Sequence, residues 1–267
     1  MGRHPVKRER DWSEGALNAF VALVLAFLAL PTLAVIPMSF NSAELLVFPP
    51  PGYSMRWFAT FFARPEWYGA AINSLIIAVL TTAAATVIGT AASLALARSR
   101  FRLKGAIAVV FLLPMMVPAI VTGVALYRSY AAWGLAGTIP GLVLAHTIVA
   151  LPFVLINVSA VLNRMDWRLE QAALSLGASH VQAFFRVTLP IIRPGVMTGA
   201  LFAFLTSFDE VVVALFMTGV DTVTLPVQMW AGIRFEINPV VAAVSVMLVG
   251  LSALVFTVYA LLRRTQP

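Results

Sequence analysis

Few residues in this chain could do chemistry, and their types exclude most covalent catalysis. Cysteine is absent, which removes thiolate nucleophiles, disulfides and cysteine metal sites. Lysine occurs only at Lys7 and Lys104, and no Gly-x-x-x-x-Gly-Lys-Ser/Thr run exists, so the chain cannot form a phosphate cradle of that kind. No serine triad or metal constellation stands out, and the histidines are His4, His146 and His180. The remaining chemistry is electrostatic. Asp209 and Glu210 stand side by side in an otherwise apolar stretch, where a charge at the centre of a membrane helix costs roughly 2.5–3.5 kcal/mol. Two readings account for them. They attract a cation, or they pair with a basic residue of a partner subunit or an external loop. Neighbours on a helix point about 100° apart, so one can line a path while the other meets a partner. His146, also mid-span, reads as a residue that hydrogen-bonds between helices rather than as a proton relay.

A second pattern occupies the polar interruption Asn163–Pro194. It holds Glu170-Gln171-Ala172-Ala173-Leu174-Ser175-Leu176-Gly177 and, downstream, Val187-Thr188-Leu189-Pro190. Asp166 suits a helix start, and Gly177 suits a left-handed helix end. Ser179-His180-Val181-Gln182 fits a capping box, and Val181, Phe184, Phe185 and Thr188 should share one face of the helix it opens. Pro190 should stop that helix. The expectation is two short helices bent at Gly177, carrying an apolar knob. Such a knob either docks on a separate soluble engine or rests on lipid headgroups.

The elements that must position these residues are membrane helices. Of the 267 residues, 61% are hydrophobic and 11% charged, against roughly 25% charged in soluble domains; mean hydropathy is +0.93. Six apolar segments emerge, at about 16–39, 70–97, 105–127, 138–162, 195–217 and 240–262. Each is long enough as a helix to cross a hydrocarbon core of about 30 Å. The first is too long for a cleaved signal and is expected to be retained. Prolines 114, 118 and 152 fall inside spans and predict kinks. Alternate loops divide the 18 Lys and Arg residues 14 to 4, so the net charge of +7 reads as topology rather than nucleic-acid binding. The rich side holds both termini and the 163–194 loop, which are therefore expected in the cytoplasm. Residues 1–15 form a tail and 16–267 one transmembrane domain. Between spans, Pro49-Pro50-Pro51-Gly52 signals a turn, and Trp57, Phe58, Phe61 and Phe62 suit a short interfacial helix. Pro226 could open another.

The 163–194 loop resembles the coupling motif of ABC importer permeases, in which Glu-Ala-Ala, a Gly and Ile-x-Leu-Pro recur at fixed spacing. The pattern falls on Gln171-Ala172-Ala173, Gly177 and Val187-Thr188-Leu189-Pro190, with Gln171 in place of Glu and Val187 in place of Ile. Glu170, one residue earlier, is the candidate substitute for the missing charge. Ser39-Phe40-Asn41, Asn73-Ser74, Leu151-Pro152-Phe153 and the run from Ser207 to Val213 are similar to the spermidine/putrescine subgroup. The resemblance implies an all-α, six-helix permease of the bacterial inner membrane with a cytoplasmic coupling loop. It implies a second permease subunit, two ATPase subunits that bind ATP and Mg, and an extracytoplasmic solute-binding protein. No cofactor is expected on this chain, and no catalytic residue. The coupling residues it points to are Glu170, Gln171, Ala172, Ala173, Gly177, Leu189 and Pro190; Asp209 and Glu210 would line the path. Related permeases carry other small solutes, such as amino-acid-like amines, phosphonates or ferric iron. A self-sufficient secondary transporter is the competing class, although no internal repeat is visible.

Overall fold

The computed structural model describes residues 12–99, 102–236 and 238–264. The expected basic tail lies, through residue 11, outside them, as does Arg100. The helices in order are α1 (Trp12–Ser39), α2 (Arg56–Ala63), α3 (Pro65–Arg98), α4 (Lys104–Met116), α5 (Ala119–Ala131), α6 (Ile139–Leu162), α7 (Arg168–Ser175), α8 (His180–Ala183), α9 (Leu189–Phe208), α10 (Val212–Met217), α11 (Leu225–Ala231) and α12 (Val240–Arg264). Five stretches are long and apolar enough to cross a bilayer, and α4 with α5 makes a sixth as a bent pair. Among the described residues the one trace of sheet is an isolated bridge between Asn41 and Tyr53. This is what lipid demands, because a helix satisfies its own backbone polar groups. Leu17, Phe20, Phe27 and Leu30 of α1 stand exposed, as side chains do when the surroundings are not water.

The chain forms two compact units. In the first (12–61 with 238–251), the proline-rich segment turns back as expected, with Ser42 N–H donating to Gly52 O. Asn41 holds the turn: its side chain bonds Leu45 O and Ala43 N–H, and its carbonyl accepts from Trp57 Nε1 at 2.8 Å. Trp57 and Phe61 turn inward from the expected interfacial helix, and Arg56 lies over the Trp57 ring.

In the second unit (62–236 with 252–264), α3, α6 and α9 pack as a three-helix core. Apolar area gains little between helices in lipid, so close contact must supply the cohesion, and small residues permit it. Val154 on α6 is wedged between two glycines. A Cβ on Gly89 would lie 2.7 Å from Val154 Cβ, and one on Gly199 would lie 3.0 Å from Val154 Cα. His146 bridges α6 to α9 as expected, with Nδ1 3.1 Å from Ser207 O and 3.0 Å from Ser207 Oγ. A second cluster joins Ile77, Tyr130, Leu142, Val213 and Met217. Leu225 N–H donates to Ser74 Oγ at 2.8 Å, tying the start of α11 to α3, and Pro226 sits in the first turn of α11 as expected.

Three expectations are corrected. The span at 105–127 is not one helix: α4 and α5 meet at 104°. Pro118 has no N–H to continue the ladder, and it forces Val117 to an extended ψ of 135°. Pro114 and Pro152, by contrast, lie within continuous helices. The span at 195–217 is also interrupted, since α9 ends at Phe208 and α10 begins at Val212. Finally, Pro190 does not end a short helix. The helix runs unbroken from His180 to Phe208, through a π turn at Phe184–Thr188. There Leu189 N–H reaches back five residues to Phe184 O, and Pro190 enters in the first turn of the renewed α-helix, where a missing N–H is tolerated.

Candidate functional site

The loop between α6 and α9 is built from local caps. Asp166 Oδ1 accepts from Arg168 N–H at 3.0 Å and starts α7. Gly177 ends the helix at φ +90°, with Ala178 N–H on Ala173 O and Gly177 N–H on Leu174 O, the two bonds of a Schellman motif. Ser179 and Gln182 form the expected reciprocal capping box, with bonds of 3.2 and 2.9 Å.

One long-range clamp fixes this loop to the membrane core. The Glu170 carboxylate is buried, and Arg98 Nη2, at the end of α3, lies 2.7 and 2.8 Å from its two oxygens. Thr188 Oγ1 donates to Glu170 Oε2 at 2.6 Å from the π turn. The Arg98 guanidinium also lies 5.6 Å from the centre of the Trp167 ring. Charge-assisted bonds of this length are about twice as strong as neutral ones, and Thr188 adds a second partner for the carboxylate. Glu170 therefore supplies the ion pair, whereas Gln171 is exposed. Sequence reading named Glu170 and Thr188 but not their partner Arg98. Seventy-two positions separate Arg98 from Glu170, and nothing in one dimension links them.

The clamp leaves an apolar face turned outward. Leu169, Leu176, Val181 and Phe185 are exposed, Leu176 at 89%. Gln171, Ala172, Gly177 and Pro190 are exposed with them, while Ala173 and Leu189 are partly buried. Thr188 does not share the face of Val181 and Phe185: it is fully buried, because the π turn rotates it inward to Glu170.

The acidic pair sits in a different setting from a plain helix. Asp209 terminates α9 and is exposed, and Glu210 Oε1 accepts from Val213 N–H at 2.8 Å, capping α10. The structure thus separates the two: one carboxylate caps a helix, and the other stands at the carbonyl end of α9, which carries partial negative charge. Phe204 and Phe208, in the last turns of α9, stack with ring centres 5.6 Å apart. The acidic pair marks this break in the sequence, but its apolar flanks read together as one span.

A helical membrane domain with a capped loop of this spacing defines an ABC importer permease fold. The chain belongs to the family of binding-protein-dependent transport system inner membrane components, whose profile matches residues 87–266 and so takes in both the loop and the acidic pair. It is accordingly a multi-pass inner-membrane transport subunit. The spermidine/putrescine transport system permease protein PotC of Haemophilus influenzae is 34% identical over 235 residues, covering 88% of this chain and 91% of that protein. The putrescine transport system permease protein PotI of Escherichia coli strain K12 is 31% identical over 252 residues, covering 91% and 89%. In fold, the chain superposes on a chain of a bacterial ABC transporter involved in the import of the acidic polysaccharide alginate. The TM-score is 0.75 at 19% identity, over 99% of this chain and 100% of the other.

Proposed function

We propose that this chain is one of two permease halves of an ATP-driven importer for a small cationic solute of the putrescine or spermidine class. An extracytoplasmic binding protein delivers the solute. Two ATPase subunits, which bind ATP and Mg, engage the exposed face around Leu176 and Phe185. The 14 to 4 division of Lys and Arg supports a cytoplasmic position for that face and for both termini. The observation that carries the reading is the clamp on Glu170, which presents an apolar docking face on a loop anchored to the membrane core. The names of the curated relatives support the solute class. Affinity capture of the intact complex should bring down a nucleotide-hydrolysing subunit together with a second permease. Its recovery without either would return the chain to the class of self-sufficient transporters.

Asp209 is the residue we assign to the solute path, with Glu210 holding α10 beside it. Asp209→Asn should depress polyamine uptake about tenfold, the effect of losing one charge-assisted contact, while assembly of the complex is preserved. Glu210→Gln keeps an oxygen for Val213 N–H and should retain more uptake. The double variant should resemble Asp209→Asn alone. Unchanged uptake in the double variant would discard the assignment.

A further inference from the structure

A cavity of about 520 Å³ opens where α3 ends, α4 begins and α6 ends. Leu96, Leu112, Leu155 and Ile156 line its interior, and Lys104 and Asn163 stand among its polar lining residues. From Lys104 to Leu112 the wall follows α4 for about 12 Å. Among the described lining residues Lys104 is the one charged side chain, and none of them is a carboxylate. The chemistry is that of an amphiphile site: an apolar slot with a cation in the first turn of the helix that walls it. The solute proposed above is itself a cation, so Lys104 repels it and the slot lies off its route.

We propose that this slot binds an anionic phospholipid of the cytoplasmic leaflet, with an acyl chain between α3, α4 and α6 and the phosphate on Lys104. The leaflet follows from the orientation proposed above. A free phosphate would satisfy Lys104 but leave the apolar wall unfilled, which favours a lipid over a soluble anion. The bound lipid would also border Trp167, which lines the same cavity. The Arg98 guanidinium lies over that ring and holds Glu170, so the lipid abuts the clamp of the coupling loop.

The test uses the intact complex in bilayers carrying a trace of acyl-chain photoactivatable phosphatidylglycerol or of its phosphatidylcholine counterpart. Phosphatidylglycerol should label peptides containing Leu96, Leu112 or Ile156 about fivefold more than phosphatidylcholine, the factor expected for one lysine at an anionic surface. Lys104→Gln should remove that preference, and Ile156→Trp, which fills the slot, should lower labelling by both lipids. Equal labelling by the two lipids, a preference that survives Lys104→Gln, or displacement of the label by soluble glycerol phosphate would each overturn the proposal. So would cross-linking of Leu112→Cys to the second permease. Labelling is read without transport, so its failure is separable from failure of the importer reading, which the capture experiment reports.

Discussion

Glu170→Ala should nearly abolish uptake while leaving the membrane helices folded. The substitution removes the one carboxylate among the described residues that meets Arg98 and Thr188, and Thr188 is fully buried. Breaking a buried pair by deleting one partner costs about 3–5 kcal/mol. Arg98 is partly exposed and can turn to water, which puts the effect near the low end of that range. A loss of about 3 kcal/mol in the docked arrangement of the loop lowers its population roughly a hundredfold. The check is uptake and ATPase activity in the same vesicles, together with the Arg98→Ala and double variants. Because the two residues act as one clamp, the double variant should be little worse than either single one. Additive losses, or normal uptake in Glu170→Ala, would mean that the pair does not position the loop.

Gly177→Val should uncouple nucleotide hydrolysis from transport. The backbone at Gly177 has φ +90°, and a Cβ there would meet nothing within 4 Å. The penalty is therefore purely conformational, about 1–2 kcal/mol for an ordinary L-residue and larger for a β-branched one. To relieve it the chain must give up the Schellman bonds from Gly177 and Ala178, and with them the angle between α7 and α8. Asn visits the left-handed region more readily, so Gly177→Asn should recover part of the coupling and separate backbone strain from lost space. Full coupling in the Val variant would show that the bend carries nothing.

What was legible in the sequence was local. Gly177, the Ser179–Gln182 box and Pro226 act within a few residues of themselves, and each stands where its chemistry places it. The long apolar runs likewise had no alternative to helix in lipid. The misreadings arose where apolar character outlasted the element. Hydropathy does not change at Val117, and at Phe208 only the two carboxylates interrupt it, yet the helix breaks at both. Pro190 misled in the opposite sense, because a π turn five residues long cannot be seen in a one-dimensional pattern and lets the helix continue. The clamp on Glu170 depends on three elements meeting, so only the charge itself was visible beforehand.

The unbroken helix from His180 to Phe208 joins the two sites of interest. Its 29 residues span about 43 Å, with the capping box at one end and Asp209 at the other. A tilt of this helix by only 5° about its midpoint would swing the carboxylate at its far end by roughly 2 Å.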